Sequence, residues 1–190
     1  MKTGLFFGSF NPIHNGHIGL AGYILNANKV DEVWFVVSPH NPLKEKNDLA
    51  KDEHRLKMVE LAIDAYSPRL SVCDIEMRMP RPSYTVDTIN ALKAEHLDRD
   101  FVIIMGADSI SSITRWKDYK SLIANNILVY PRLGYEIDKT RLPKNTKLID
   151  APIIEISSTY IRELIASNKR ADFFMPQKAF EYLDKHKLYK

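Results

Sequence analysis

Short continuous runs of apolar residues alternate along this chain with segments in which apolar residues recur at helical spacing. Runs this short, rich in β-branched and aromatic residues, are typical of strands buried on both faces of a parallel sheet. They cover residues 5–7, 33–38, 70–73, 101–105, 127–130 and 153–156. Helical spacing predicts a helix that carries Ile18, Ala21, Ile24 and Leu25, a second helix that begins at Asp52, and others over 84–96, 158–167 and 176–186. The alternation predicts an α/β fold, a doubly wound parallel sheet that binds ligands at the carboxyl ends of its strands.

The segments between these elements are polar or rich in proline. Residues 40–51 contain three lysines, and we interpret them as a mobile loop. Two prolines should keep residues 77–82 out of regular structure, and Ser83 is placed to cap the helix that follows. The chain has no internal repeat and no linker, which favours a single domain over residues 1–190.

Composition limits the classes of partner. The 190 residues are 45% hydrophobic and 27% charged, an ordinary balance for a globular protein. A net charge of +3 suits a small polyanionic substrate and is too weak to indicate nucleic acid binding. One cysteine excludes an intramolecular disulfide and fits a reducing compartment. No apolar run approaches the ~18 residues of a membrane span and no signal-peptide pattern is present, so we expect a cytoplasmic protein without a membrane partner.

The ten residues 8–17, Gly-Ser-Phe-Asn-Pro-Ile-His-Asn-Gly-His, join the first predicted strand to the first predicted helix. Such turns bind phosphates in α/β folds, because unpaired backbone N–H groups and the positive end of the helix dipole converge there. His14 and His17 share one helical face, and imidazoles can donate hydrogen bonds to phosphate oxygens and be cationic near neutral pH. Gly16 between them should let a bulky anion approach the backbone. The pattern predicts a nucleotide site.

A pair of histidines also has plainer interpretations. It can cap a helix or lie in a polar surface turn, as most isolated pairs do. A zinc site is conceivable too, but the one other soft ligand is Cys73, and structural zinc sites have four ligands. The length of the motif and its place between a strand and a helix favour the nucleotide site.

A second motif, Ile-Ser-Ser-Thr-Tyr-Ile-Arg over residues 156–162, also precedes a predicted helix. Ser158 or Thr159 can cap that helix, whose first N–H groups can face an anion. Arg162 lies one turn later, where its planar guanidinium could hold phosphate oxygens at two points. On its own, this motif is more typical of an ordinary capping box on a solvated helix face.

Residues 8–17 resemble the signature of the HxGH nucleotidyltransferase superfamily, and Gly-Ser-Phe-Asn-Pro-Ile-His within them is similar to the pyridine-nucleotide adenylyltransferases. The commonest bacterial form reads Gly-Gly-Thr-Phe-Asp-Pro, so Phe7 stands at its first glycine and Asn11 at its aspartate. The second motif resembles the family's Ile-Ser-Ser-Thr-x-Ile-Arg, which binds the β- and γ-phosphates of ATP. The two motifs occur in the family's order, so the resemblance covers essentially all 190 residues and implies a Rossmann-like nucleotidyltransferase fold.

The resemblance implies a role for each residue that matches the family's motifs. It places ATP on Gly8, Ser9, Phe10, His14, His17, Gly106, Asp108, Ser157, Ser158, Thr159 and Arg162. It places nicotinate mononucleotide on Ser9, Lys44, Tyr84, Thr85, Thr88, Trp116 and Arg132. The catalytic residues it implies are His14, His17, Lys44 and Arg162. Without the family, Lys44 is equally well explained as a solvated loop lysine, and Trp116 would be interpreted as a core residue. Arg55 begins the family's Arg-x-x-Met helix, and we assign it no role.

The reaction that the resemblance implies is transfer of the adenylyl group of ATP to nicotinate mononucleotide, giving deamido-NAD and pyrophosphate. Mg²⁺ is expected to arrive with ATP rather than at a dedicated protein site. The expected partners are ATP and a pyridine mononucleotide, and the sequence leaves open whether the chain forms a homo-oligomer.

Several alternatives stay open. Pantetheine-phosphate and cytidylyl transferases share the His-x-Gly-His step but should differ in the second motif. Class I aminoacyl-tRNA synthetases share it too, yet their anticodon-binding domains do not fit in 190 residues. An enzyme that uses nicotinamide mononucleotide, or both mononucleotides, and a catalytically silent nucleotide-binding regulator are the others.

Overall fold

A parallel sheet of six strands runs through residues 1–39 and 49–190, the part of the chain that the computed structural model describes. The strands are β1 (Lys2–Gly8), β2 (Glu32–Val37), β3 (Leu70–Cys73), β4 (Asp100–Gly106), β5 (Asn126–Tyr130) and β6 (Thr146–Leu148). Their order across the sheet is β3-β2-β1-β4-β5-β6, and every neighbouring pair is parallel. The direction of winding therefore reverses between β1 and β4, where open α/β sheets bind their ligands.

Helices cover both faces of this sheet. They are α1 (Asn15–Asn26), α2 (Asp52–Ile63), α3 (Ile75–Arg78), α4 (Thr85–Glu95), α5 (Ala107–Ser111), α6 (Tyr119–Ile123), α7 (Ser158–Ala166) and α8 (Gln177–Lys185). Because side chains alternate across a strand, Phe6 and Ile104 join the core under α1, α2, α7 and α8, whereas Leu5 and Ile103 join the core under α3 to α6. The predicted doubly wound sheet is confirmed. Within the described ranges, no helix is long and apolar enough to cross a membrane.

The predicted strand at residues 153–156 is wrong. The last strand of the sheet is instead β6, and residues 153–156 form no regular structure. Ile153 is 50% exposed and Ile154 is 36% exposed, so this apolar run covers a surface rather than entering the core. The sequence pattern suggested that Ser157 follows a strand directly, and in the structure it does not.

Two predicted helix caps are also wrong. Tyr84, not Ser83, is the residue before α4, and the Ser83 hydroxyl donates to the buried Glu76 carboxylate at 2.7 Å. Ser157, rather than Ser158 or Thr159, caps α7 by accepting a hydrogen bond from the N–H of Tyr160 at 3.1 Å. The hydroxyls of Ser83 and Ser158 instead donate to partners outside these helices, Glu76 and Pro12.

Two predicted irregular segments have different outcomes. The segment at 77–82 begins inside the short helix α3, because its two prolines come only after the last helical residue. Of the predicted loop at 40–51, residues 40–48 lie outside the described part of the chain. The short helices α5 and α6 had no predicted counterpart.

Candidate active site

The loop between β1 and α1 holds its two histidines against each other. Their rings stack with centroids 3.7 Å apart and planes 28° apart. The backbone N–H of His14, the residue that precedes α1, donates to His17 Nδ1 at 3.2 Å. A nitrogen that accepts carries no proton, so the neutral His17 ring has its proton on Nε2. The loop thus fixes both the orientation and the tautomer of His17.

His14 differs electrostatically from what the sequence suggested. It is 6% exposed, and its burial, followed by the positive charge of Arg132, lowers its pKa from 6.5 to about 4. His14 is therefore neutral at neutral pH rather than cationic, and becomes protonated only as the pH falls toward 4. It can offer a phosphate a hydrogen bond but no full positive charge.

Two glycines of the motif make room for side chains of the loop itself. A Cβ on Gly8 would lie 2.8 Å from the ring of Phe10, which is buried in the core and touches the His17 ring. A Cβ on Gly16 would lie 3.0 Å from His14 Nδ1. Gly16 therefore leaves room for the His14 ring, and its expected role of admitting an anion to the backbone stays a prediction.

The second motif docks directly onto the first. The hydroxyl of Ser158 donates to the carbonyl oxygen of Pro12 at 2.8 Å. The guanidinium of Arg162 donates to the carbonyl oxygen of Asn11 at 3.0 Å. Residues more than 140 positions apart in the sequence are thus joined at the start of α1 and α7. Thr159, the third residue implied at this motif, is exposed.

Arg55 is a residue of this region whose role sequence reasoning missed. It is 0% exposed and its guanidinium donates to the carbonyl oxygens of Ser9 at 2.6 Å and Ser38 at 2.7 Å. It also donates to the carbonyls of Pro39 and Ala50 and pairs with Asp52 at 2.5 Å. A signal for it existed, because Arg55 occupies the same helical face as the buried Met58, Val59 and Ala62.

A cleft of about 340 Å³ opens beside the two motifs. Its lining includes the polar residues His14, His17, Arg132 and Ser157 and the apolar residues Leu133, Tyr135, Ile153 and Ile154. Arg132 pairs with Asp108, its Nε lying 3.8 Å from Oδ1, and Asp108 directly follows the end of β4 in α5. The resemblance implied Arg132 for the mononucleotide, whereas the structure places it with residues implied for ATP. Ile153 and Ile154 of this wall were missed because residues 153–156 were interpreted as a buried strand.

The residues implied for the pyridine ring lie around the start of α4. Lys117 Nζ lies 4.6 Å from the centre of the Tyr84 ring and pairs with Asp87 at 2.8 Å, which brings the segment after Trp116 against this helix. Trp116 is half-buried against the core, as the plainer interpretation expected, and no described residue hydrogen-bonds its buried indole nitrogen.

Threonines at the start of α4 have different surroundings. Thr85 is half-buried as the first helical residue. Thr88 is fully buried, and its hydroxyl donates to Glu76 at 2.8 Å, so its side chain supports the turn instead of facing a ligand. Glu76, which sequence reasoning did not consider, thus accepts hydroxyl protons from both sides of the turn. Lys44 lies outside the described residues.

Comparisons with known proteins bear on the family and the fold of this chain. Residues 5–164 match the family model described as Cytidylyltransferase-like. A Bacteroides fragilis protein named "Probable nicotinate-nucleotide adenylyltransferase" is 50% identical over 92% of this chain and 87% of its own length. A Flavobacterium johnsoniae protein of the same name is 42% identical over 100% of both chains. The structure of Plasmodium falciparum nicotinic acid mononucleotide adenylyltransferase complexed with NaAD shares the fold, with a TM-score of 0.83 at 22% identity over 99% of this chain and 97% of that one.

Replacing Arg55 should destabilise the protein far more than replacing its exposed neighbour. Arg55→Met leaves the Asp52 carboxylate and the bonded carbonyls without their buried donor and should lower the free energy of unfolding by about 3–5 kcal/mol. Arg81 pairs with the same carboxylate at 2.7 Å but is 57% exposed, so Arg81→Met should cost less than about 1 kcal/mol. Urea unfolding of the two variants measures both. Equal losses would contradict the role given to Arg55.

Replacement by alanine should affect stability differently at two glycines of α1. Gly22 has open space at its Cβ position, so Gly22→Ala should raise the free energy of unfolding by about 0.5–1 kcal/mol through helix propensity alone. Gly16→Ala must displace the His14 ring, so it should give no such gain and should move the imidazole NMR signals of His14. Equal stabilisation by both, with unmoved His14 signals, would show that Gly16 does not seat the ring.

Proposed function

The chain belongs to the family of nicotinate-nucleotide adenylyltransferases, and from this premise we propose that it transfers the adenylyl group of ATP to nicotinate mononucleotide. The products are deamido-NAD and pyrophosphate, in a step of NAD biosynthesis. The observation that carries the proposal is the docking of the second motif on the first, through Ser158 on Pro12 and Arg162 on Asn11. This docking brings together, at the carboxyl ends of the central strands, the two motifs that we propose bind the phosphates of ATP.

In the proposed reaction, a 5′-phosphate oxygen of the mononucleotide attacks the α-phosphorus of ATP. A phosphorus–oxygen bond forms there while the bond from the α-phosphorus to the bridging oxygen breaks, and its electron pair leaves with pyrophosphate. The attacking phosphate is already an anion, so no general base is needed. Catalysis therefore depends on alignment and on stabilising charge in the transition state.

The two histidines would serve as donors rather than as cations. His17 Nε2–H is the donor that its tautomer provides for an α-phosphoryl oxygen, and the neutral His14 ring adds a second hydrogen bond at the same face of the loop. The positive charge would come from Arg132 beside the cleft and from Arg162 at the start of α7. An arginine keeps its charge throughout the physiological pH range, so this neutralisation does not depend on pH.

The adenine base would occupy the apolar side of the cleft. Leu133, Tyr135, Ile153 and Ile154 expose unusually large apolar area beside the polar motif residues. A planar, weakly polar base suits such walls better than a triphosphate does. Asp108, next to this side of the cleft, can accept hydrogen bonds from ribose hydroxyls. We place Arg132 on this ATP side too.

Adenylyl transfer from ATP commonly uses a divalent metal ion, and we propose Mg²⁺ bound to the incoming triphosphate. In residues 1–39 and 49–190, no group of three or more His, Cys, Asp or Glu side chains could hold a metal ion. Mg²⁺ usually keeps several waters and takes substrate phosphates as ligands. When bound, it would neutralise charge on the β- and γ-phosphates.

The direct test is product formation with matched substrates. The protein is incubated with ATP and nicotinate mononucleotide, and deamido-NAD and pyrophosphate are quantified together. We expect both in equal amounts. Phosphopantetheine with ATP, and CTP with phosphocholine, test the other transferases of the superfamily and should give no pyrophosphate. No product with any pair would favour the catalytically silent regulator.

The acid substrate should be preferred over its amide. The first N–H groups of α4, after Tyr84, have no partner within the helix and lie at its positive end. These N–H groups suit a carboxylate, because both of its oxygens accept hydrogen bonds. An amide NH₂ can only donate and would leave the N–H groups unpaired. The value of kcat/KM should therefore favour nicotinate mononucleotide on the order of 10⁴-fold. Initial rates of pyrophosphate release with each mononucleotide measure the ratio. Trp116→Ala should weaken both substrates alike, and comparable wild-type values would indicate a dual-specificity enzyme.

Removing the His17 donor should reduce turnover without unfolding the protein. His17→Ala should lower kcat by roughly two to four orders of magnitude, because a preorganised donor to the transition state is lost. His17→Gln can present an amide N–H in place of Nε2–H and should lose less. His96 packs on Trp34 near the start of β4, and His96→Ala serves as the control with near-normal kcat. Turnover of folded His17→Ala within a few-fold of wild type would remove His17 from the chemistry.

A further inference from the structure

The carboxyl end of the chain returns to the loop between β1 and α1. Lys187 adopts a left-handed conformation with φ of 51° immediately after α8. The N–H of Leu188 donates to the carbonyl of Leu183 at 3.1 Å, and that of Lys187 to the carbonyl of Asp184 at 3.0 Å. This pair of bonds is a Schellman motif, which reverses the chain at a helix end. Leu188 and Tyr189 are thereby packed against the core beneath the loop.

The Tyr189 hydroxyl forms a hydrogen bond with the side chain of Asn11. It donates to Asn11 Oδ1 at 2.7 Å, and the backbone N–H of Ala50 donates to the same oxygen at 3.0 Å. An amide oxygen accepts two hydrogen bonds, so these two donors satisfy it and set the orientation of the Asn11 side chain. Asn11 is itself 6% exposed, so a lost donor there is not simply replaced by bulk water.

Asn11 lies three residues before His14, and every residue between them is held. The carbonyl oxygens of Asn11 and Pro12 accept from Arg162 and Ser158, and Ile13 is completely buried. A displacement of Asn11 would therefore be passed along a tightly packed segment to the His14 ring. The position of the histidine pair depends on what fixes Asn11.

We propose that Tyr189 is a positioning residue for adenylyl transfer, whose hydroxyl fixes Asn11 and through it the catalytic arrangement of His14 and His17. The inference rests on the proposed function for its kinetic consequence, but its structural part does not. Tyr189 does not line the cleft, so it acts through Asn11 and not on the substrate.

The hydroxyl remains a donor at every pH at which the enzyme would work. Burial raises the pKa of Tyr189 well above its ordinary value, and the positive charges of Arg55 and Arg162 only partly oppose this. The protonated hydroxyl and the acceptor oxygen of Asn11 are thus complementary. Replacing Tyr189 should accordingly lower the rate without changing the shape of the pH profile.

The test compares two hydroxyl deletions at the same end of the chain. Tyr189→Phe removes the bond to Asn11 and leaves the ring in place. Tyr182→Phe is the control, because the Tyr182 hydroxyl lies 2.9 Å from His54 Nδ1 on α2, whereas that of Tyr189 binds Asn11. Tyr189→Phe should lower kcat about five- to tenfold, the factor that one hydrogen bond supplies, with KM for both substrates nearly unchanged. Tyr182→Phe should leave kcat unchanged.

Amide hydrogen exchange supplies a readout that does not depend on the reaction. Exchange in the peptide over residues 9–17 should be faster in Tyr189→Phe than in wild type and unchanged in Tyr182→Phe. If the wild type forms no deamido-NAD, the proposed function fails, yet this measurement still decides whether Tyr189 holds the loop. Normal exchange, or a lowered melting temperature with normal kcat, would overturn the proposal by leaving Tyr189 a merely structural role.

A double-mutant comparison shows whether the effect passes through Asn11. Asn11→Ala already lacks the acceptor, so adding Tyr189→Phe to it should lower kcat no further. A full additional five- to tenfold loss in the double variant would mean that Tyr189 acts by another route, which contradicts the proposal.

Discussion

The guanidinium of Arg55 is the constraint on which the site loops depend. It carries a charge with no exposure to water, so it is stable only while its carbonyl and carboxylate partners surround it. Those partners come from the loop after β1, the end of β2 and the approach to α2. One buried side chain therefore orders three separate pieces of backbone relative to one another. The loop after β1 is consequently held in place without a substrate, which is the preorganisation that the proposed function requires of it.

Residues near the carboxyl end of the chain also hold this loop. Arg162 and Ser158 bind its carbonyl oxygens, and Tyr189 binds the side chain of Asn11. The His14 ring beside them is buried, and this burial, together with the charge of Arg132, keeps it neutral. The division of labour that follows is physically coherent. In the proposed reaction, imidazoles in defined orientations would supply directional hydrogen bonds, and arginines, whose charge does not vary with pH, would neutralise the triphosphate.

Local patterns in the sequence predicted the sheet well because they depend on local physics. The bounds predicted for β3 match those observed, and α1, α2, α7 and α8 lie where helical spacing placed them. The error at residues 153–156 has a specific cause. Apolar periodicity indicates that a segment avoids water, but Ile153 and Ile154 instead stay exposed along the wall of a cleft. A binding surface and a buried strand can have the same composition, and only the neighbouring segments distinguish them.

By itself, the sequence determined the alternation of strands and helices, the two motifs and the family, because each of these depends on residues that are close together along the chain. The tertiary structure alone decided which groups those motifs contact. Gly16 leaves room for the His14 ring, the Ser83 hydroxyl binds Glu76 instead of capping a helix, and Arg55 and Tyr189, from two separate later parts of the chain, hold the loop after β1. Arg55 and Ser9 are 46 positions apart and Tyr189 and Asn11 are 178 positions apart, and the shorter-range contacts of Gly16 and Ser83 depend on how their segments pack. Their partners, burial and resulting pKa values exist only once the chain has packed, which is why no local pattern contains them.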